Sequence, residues 1–445
     1  MRSFQPPRLR FGVLSRSPDF RRLWTGQSVS LVGDQVAMFA LPTLAIVGLG
    51  ASNFQVGLLN TLGLIAIPFA APAVGAVLDK VRRRPVLITA DIVMLAAFGS
   101  VPVAAATGTL SLPQLYAVAL VTGIGATVFQ VSYLSYLPWV ITDRDLADGN
   151  LALEISSSTA RFAGPGIAGL LIQLAGAPAA IAANSLSFVA SIIGLTRVRR
   201  KEPPPMGSRW RWQDLSRGFK LVFGHRLLRP LTLAAATRNT GVGMARTVLL
   251  LYAYRALRLS PGTVGLVLTL AATMSVGGAV ATRTLVRRLR LGRALSLVIA
   301  MEGVAWLLSP IALIGMPALA LGVVAALAAA WLPVWNAQVI TLRQVVTPPE
   351  QQGRVHSAAR SVNGAAQPLG ALLGGLVAAG CTDVLGVREG LAAAMSISGV
   401  IAAAAALWVL PSAVYALKEM PRAEPQPDQA TAVAARTSVG DARHP

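Results

Sequence analysis

The chain has 445 residues, of which 54% are hydrophobic and only 13% charged, with a formal net charge of +21. Soluble domains carry roughly twice that share of charge to cover their surface, so the composition excludes an ordinary soluble fold. A single cysteine, Cys381, excludes an intramolecular disulfide and any multi-cysteine metal site.

Charge is segregated as well as scarce. The stretches 111–141 and 303–342 hold no Asp, Glu, Lys, Arg or His, and each exceeds the roughly 20 apolar residues of a bilayer crossing. Similar segments recur from Trp24 to Pro411. Breaks at Pro, Gly and basic loops predict helices at 22–49, 54–78, 85–106, 112–139, 147–175 and 178–196, then at 228–254, 262–286, 293–315, 317–341, 354–380 and 387–411. The expected fold is an all-α integral membrane protein of about twelve transmembrane helices in two six-helix halves. The division is an N-terminal arm (1–21), a first bundle (22–196), a central loop (197–227), a second bundle (228–411) and a polar tail (412–445) expected to be disordered. The first apolar segment is too long for a cleavable signal peptide and follows a basic, Pro-containing arm.

Basic residues crowd alternate loops, around Arg16 to Arg22, Lys80 to Arg84, Arg197 to Arg229 and Arg283 to Arg293. That pattern predicts cytoplasmic loops and cytoplasmic termini in a multi-pass inner-membrane protein. It also accounts for the net charge without a nucleic-acid partner. In the central loop, Pro203, Pro204 and Pro205 precede a stretch where Leu215, Phe219 and Val222 recur at helical spacing with Arg217 and Lys220 between. An amphipathic helix on the cytoplasmic surface is expected there.

The halves repeat. The triplet beginning at Gly75 recurs at Gly278, and Pro165 has its counterpart in Pro368, both pairs 203 residues apart. Six helices per half in matching orientation make this a parallel repeat about an axis along the membrane normal, with a binding site between the halves.

Three stretches, FRRLWTGQSVSLVGD (20–34), GAVLDKVRRRP (75–85) and the pair ARFAGPGIAG (160–169) and TPPEQQGRVHSAARSVNGAAQPLGALLGG (347–375), resemble the major facilitator superfamily. The likeness covers Phe20 to Pro411 and is greatest to drug exporters of the macrolide-efflux and enterobactin-exporter type. It implies a conformational latch at Gly75, Asp79, Arg83 and Arg84, in which Arg82 stands where the superfamily usually has Gly. The two arginines would anchor the loop to anionic headgroups. It also implies an exporter-type helix bend at Gly164, Pro165 and Gly169, matched by Pro368, although Ala160 and Ala168 replace expected glycines.

An ionisable side chain at mid-bilayer costs about 2.5–3.5 kcal/mol on insertion scales, so each one requires a reason. Asp34 falls ten residues beyond Trp24, near the middle of the first helix, and is the candidate for proton coupling. Arg161, equally deep in the fifth helix, is expected to pair with Asp34 or to contact substrate. Arg238, Arg246, Glu154 and Arg360 are further cavity candidates, joined by Asn336 and Gln338, with Gln27, Gln130 and Tyr133 as possible hydrogen-bonding groups. Glu302 reads as a packing residue, and Asp91 as support for the latch. The excess of arginine favours an anionic or zwitterionic amphiphile.

The leading expectation is a secondary transporter, proton-coupled, that exports a small amphipathic molecule such as a drug or siderophore. An importer or facilitator of a metabolite on the same fold is the alternative, and a non-transporting sensor or scaffold the third. The proton gradient would be the energy source, since no Gly-rich phosphate loop is present. No cofactor, metal or obligatory protein partner is expected beyond substrate and lipid. His225, His356 and His444 show no metal-ligand spacing, and no catalytic constellation suggests an enzyme.

Overall fold

A computed structural model describes residues 12–68, 80–142, 144–200, 202 and 212–421. Among them there are helices and turns but no strands. The first half comprises α1 (Gly12–Arg16), α2 (Pro18–Thr43), α3 (Asn53–Leu64), α4 (Arg83–Ala106), α5 (Leu112–Val140), α6 (Leu146–Ala175) and α7 (Ala177–Thr196). After the surface helix α8 (Trp212–Gly224), the second half holds α9 (Leu228–Leu251), α10 (Pro261–Leu289), α11 (Leu291–Leu307), α12 (Pro317–Ala330), α13 (Leu332–Val346), α14 (Pro349–Leu385), α15 (Val387–Ala404) and α16 (Ala406–Val409). Eight of the described helical stretches are long and apolar enough to cross a membrane. α6 and α9 are as long but more polar, because Glu154, Arg161, Arg238 and Arg246 lie within them.

Local chemistry starts and stops these helices, most of them within a few residues of the predicted bounds; α14 begins five residues before the predicted 354 and ends five after 380, and the stretch predicted as 317–341 is broken at Trp331 into α12 and α13. Ser17 caps α2 by accepting from the Phe20 amide, with Pro18 in the first turn. Ser52 forms a capping box with Gln55 at the start of α3, and Ser260 caps α10 ahead of Pro261. Gly176 and Gly386, at φ 83° and 80°, each end one helix and begin the next, a left-handed conformation that glycine adopts without steric penalty.

The repeat is visible in the irregularities of the backbone. α2 and α9 both run out into a single π turn, beginning at Leu44 and Tyr252. Positive φ follows at Gly50 and Arg258, then the caps Ser52 and Ser260; each of these pairs is 208 residues apart. α6 and α14 start 203 residues apart and end 210 apart, because α14 is 37 residues long and α6 only 30.

Within each half the packing repeats as well. α2 lies on α6 and α7 as α9 lies on α14 and α15, and α4 meets α7 as α11 meets α15. The halves meet through two equivalent contacts, α6 against α10 and α14 against α3. Both are glycine crossings. A methyl group added at Gly57 would fall 2.8 Å from the Cα of Gly375, and one at Gly169 would fall 2.9 Å from the Cα of Gly265. Small residues let helices approach to backbone contact, which is how helices associate inside lipid. Both crossings lie at the end of the bundle away from the arginine-rich loops. At that same end Arg255 donates to Asn53 Oδ1 at 2.7 Å and to the Ala51 carbonyl, and Asn53 donates to Thr382 Oγ1 at 3.0 Å.

α8 departs from expectation. Its Val222 is fully buried in a cluster with Leu228 of α9 and Val355 and Ala358 of α14, and Gly218 sits against the Arg354 carbonyl. At Phe219 and Val222 the apolar face of this helix therefore docks on protein.

Candidate functional site

α6 contributes a polar wall to the space between the halves. Arg161 donates to Glu154 Oε1 at 2.7 Å, to Ser157 Oγ at 2.6 Å and to Ser158 Oγ at 3.0 Å. Glu154 and Arg161 are seven residues apart, two helical turns, and so share one face. Leu170, nine residues beyond Arg161, lies half a turn round the helix and is bare, as suits the lipid face. The ion pair thus faces inward, with side chains 54% and 68% exposed. Such an exposed pair is worth at most about 1 kcal/mol, so either partner is free to exchange for a ligand. The expected Arg161–Asp34 pair does not form; serines one turn away and Glu154 two turns away on its own helix satisfy Arg161.

Asp34 is aimed elsewhere. Its neighbour Gly33 abuts Asn184 and Ser187 of α7, and Gln35 abuts Gly164 of α6. Asp34 therefore points between those helices, into the first bundle. Among the described residues it has no hydrogen bond or ion pair. The charged group whose field it shares is another carboxylate, Asp91 of α4. Asp91 is 1% exposed and stands against Ser191 of α7, yet neither carboxylate oxygen has a well-formed hydrogen bond among the described residues. Gln27 Oε1 and the Tyr133 hydroxyl are likewise buried without a partner. Asp91, read from the sequence as support for the latch, is eight residues into α4, in the bundle core. Its signal, a carboxylate in an apolar span, equals that of Asp34, and its nearness to the loop concealed it.

In the second half, Arg238 is removed from the cavity candidates. It forms a two-pronged pair with Glu302 of α11, at 2.5 and 2.7 Å, with both side chains nearly inaccessible. Glu302 has the packing role expected of it. Arg246 behaves differently: of all residues in α9, only it and Arg229 in the first turn are exposed. Arg360 is exposed on α14 and donates across the gap to Gln130 of α5 at 3.4 Å. Asn336 is exposed on α13, whereas Gln338, two residues on, projects from the opposite side of the helix.

The latch residues Gly75 and Asp79 lie outside the described residues. Arg83 and Arg84 hold the start of the central loop. Arg83 pairs with Glu202 at 3.2 Å, the amides of Arg83 and Arg84 donate to the same carboxylate at 2.8 and 3.2 Å, and Arg84 Nη2 donates to the Thr196 carbonyl. Glu202 thus caps α4 from afar, a role hidden in the sequence by the 118-residue separation of Arg84 and Glu202. Gly164 receives Gln35 and Gly169 receives Gly265. Pro165 and Pro368 sit inside unbroken helices, and the Pro368 carbonyl accepts from Thr61 of α3. These residues serve helix contacts, including those between the halves.

Two pseudo-equivalent bundles, joined at one end and separated by a polar, charge-lined space toward the other, form the architecture of a multi-pass membrane transporter. The chain belongs to the Major Facilitator Superfamily, whose family model matches residues 23–370. Among curated proteins it is 24% identical over 190 residues to macrolide efflux protein A of Streptococcus pyogenes, a match covering 43% of this chain and 46% of that protein; the chain thus spans about half the length of that relative. Among solved structures it overlays on a bacterial homologue of the iron transporter ferroportin in its inward-facing state with a TM-score of 0.67, at 20% identity over 87% of this chain and 98% of that one. The outward-facing state of the ferroportin homologue gives 0.53, at 18% identity over 88% and 98%. The nucleoside transporter NupG gives 0.67, at 13% identity over 88% and 98%.

Proposed function

We propose that the protein is a proton-coupled exporter of small amphipathic molecules across the cytoplasmic membrane, with Asp34 as the coupling residue. The observation that carries this reading is a mid-helix carboxylate with neither hydrogen bond nor cationic partner among the described residues. A carboxylate held by a permanent salt bridge stays ionised through a transport cycle, whereas an unpaired one in a low-dielectric bundle takes up and releases a proton readily. Asp91 alongside strengthens the case, since two neighbouring carboxylates favour sharing a proton.

The arginine-rich end is cytoplasmic by the positive-inside rule. The glycine crossings close the opposite end, so the cavity bearing Arg161 and Glu154 faces the cytoplasm. Substrate enters there, the halves rock about the site, and protonation of Asp34 from outside resets the cycle. Similarity to a macrolide efflux protein supports export.

Proton movement in inverted membrane vesicles is the test. Addition of a transported amphiphile is expected to release protons from wild-type vesicles, and Asp34→Asn is expected to abolish that release while the protein remains folded. Full proton-coupled flux in the variant would sink the assignment of Asp34.

A further inference from the structure

We infer that the second-half wall of the cavity is an anion-binding surface, and that the transported molecule carries a carboxylate or similar oxyanion that docks on Arg246. The inference rests on the reading of the space between the halves as the substrate cavity.

Arg246 lies 18 residues into α9, about 27 Å along the helix from its arginine-rich end. The face it shares with Val242 and Asn239 is the partly open one, while Gly241 abuts Ala402 of α15 and Gly243 abuts Gln367 of α14. Among the described residues Arg246 makes no hydrogen bond or ion pair. The charges whose fields reach it are Arg238 and Glu302, and these two already neutralise each other through both prongs of a buried pair. A guanidinium so deep in a membrane protein carries a solvation penalty that an anion relieves, and its planar fork matches a carboxylate in a two-pronged contact.

The same wall is cationic nearer its mouth. Arg360 is exposed on α14, and its field and that of Arg343 on the adjacent α13 both reach His356, one turn before Arg360 on the same face. Arg343 lies two turns beyond the exposed Asn336, on the same side of α13. Glu302, the acidic side chain on the neighbouring α11, is buried behind this wall with Arg238. The opposite wall differs, since its Arg161 already holds Glu154. Positive charge therefore leads from the mouth to Arg246 along one side, a path that draws in an anion and repels a cation.

Three probes with one ring system and different charge test this: pyrenebutyrate, pyrenebutyltrimethylammonium and pyrenebutanol. Each is titrated onto purified protein in phosphatidylcholine nanodiscs, with empty discs subtracted. Saturable binding of pyrenebutyrate is expected, with only partition of the cation. Arg246→Gln is expected to weaken pyrenebutyrate about tenfold or more, and Arg246→Lys to weaken it less. Equal or tighter binding of the cation, or unchanged binding in Arg246→Gln, overturns the inference. The probe comparison on the wild-type protein decides the sign of the site even where a variant fails to fold. Discs rich in phosphatidylglycerol separate the two sources of an oxyanion: retained binding supports a soluble ligand, and loss by competition assigns the site to a lipid headgroup and overturns it. Equilibrium binding is independent of direction and proton coupling, so failure of the Asp34 flux experiment leaves this result standing.

Discussion

Arg238 and Glu302 illustrate how one residue type takes opposite roles in the same helix. Arg238 is sealed against Glu302, whereas Arg246, eight residues on, is exposed and has no partner among the described residues. Removing one member of a buried pair leaves an uncompensated charge and costs about 3–5 kcal/mol, while replacing both by apolar residues of similar size is often neutral. Arg238→Gln or Glu302→Gln alone is therefore expected to lower the melting temperature markedly in detergent. Arg238→Met combined with Glu302→Leu is expected to recover most of it. A double variant no better than the singles would mean that the pair does more than satisfy itself. The Arg161–Glu154 pair is the contrast: it is open to water, and its loss is expected to alter ligand handling more than stability.

At the scale of elements, the central loop is held at both of its ends. Before residue 203, Asp19 accepts from the amides of Arg199 and Arg200 at 3.1 and 3.0 Å, and Glu202 caps α4. From Trp212, α8 docks on the second half through Phe219 and Val222. A charge at Val222 would be buried without a partner, which apolar packing does not tolerate. Val222→Asp is expected to release α8, with at least a tenfold faster hydrogen exchange of its amides and faster cleavage between residues 203 and 226. Unchanged exchange would place the anchoring of α8 elsewhere. The amphipathic spacing was plain in the sequence; the identity of the covering surface was not, because a helix of this pattern suits a lipid surface and a protein groove equally well.

For the whole molecule, the crossings Gly57–Gly375 and Gly169–Gly265 are one contact made twice under the repeat, and Arg255 fastens the same end by bridging to Ala51 and Asn53. Opening that end requires breaking this network. Each hydrogen bond contributes about 1 kcal/mol, so Arg255→Ala is expected to shift the balance toward the outward-open form by about tenfold or more. Cys381, the lone cysteine, lies half-buried on α14 one residue before Thr382. Its labelling by a membrane-impermeant maleimide is the readout, and a correspondingly faster rate is expected in Arg255→Ala and Asn53→Ala. Labelling no faster than in wild type would show that the glycine crossings alone hold the closed end. Bulk at Gly57 or Gly169 is expected to act in the same direction, because no side chain fits between the backbones there.

The amino-acid sequence by itself determined the membrane class, the paired halves, the positions of the helices and the charges that needed explanation. Those properties follow from hydrophobic length, capping residues and the cost of charge in lipid, all of which act locally along the chain. The 203-residue repeat was legible at Pro165 and Pro368 and became general only when the π turns and caps at 208 aligned. Tertiary structure alone decided the partners. It gave Arg161 to Glu154 rather than to Asp34, buried Arg238 against Glu302 while leaving Arg246 exposed, brought Asp91 beside Asp34, and tied Arg83 to Glu202 across the fold. Helical periodicity specifies which residues share a face, but the direction of that face depends on how each helix rotates against its neighbours. That rotation is set by contacts such as Gly33 on Asn184 and Gly169 on Gly265, between residues far apart in the chain.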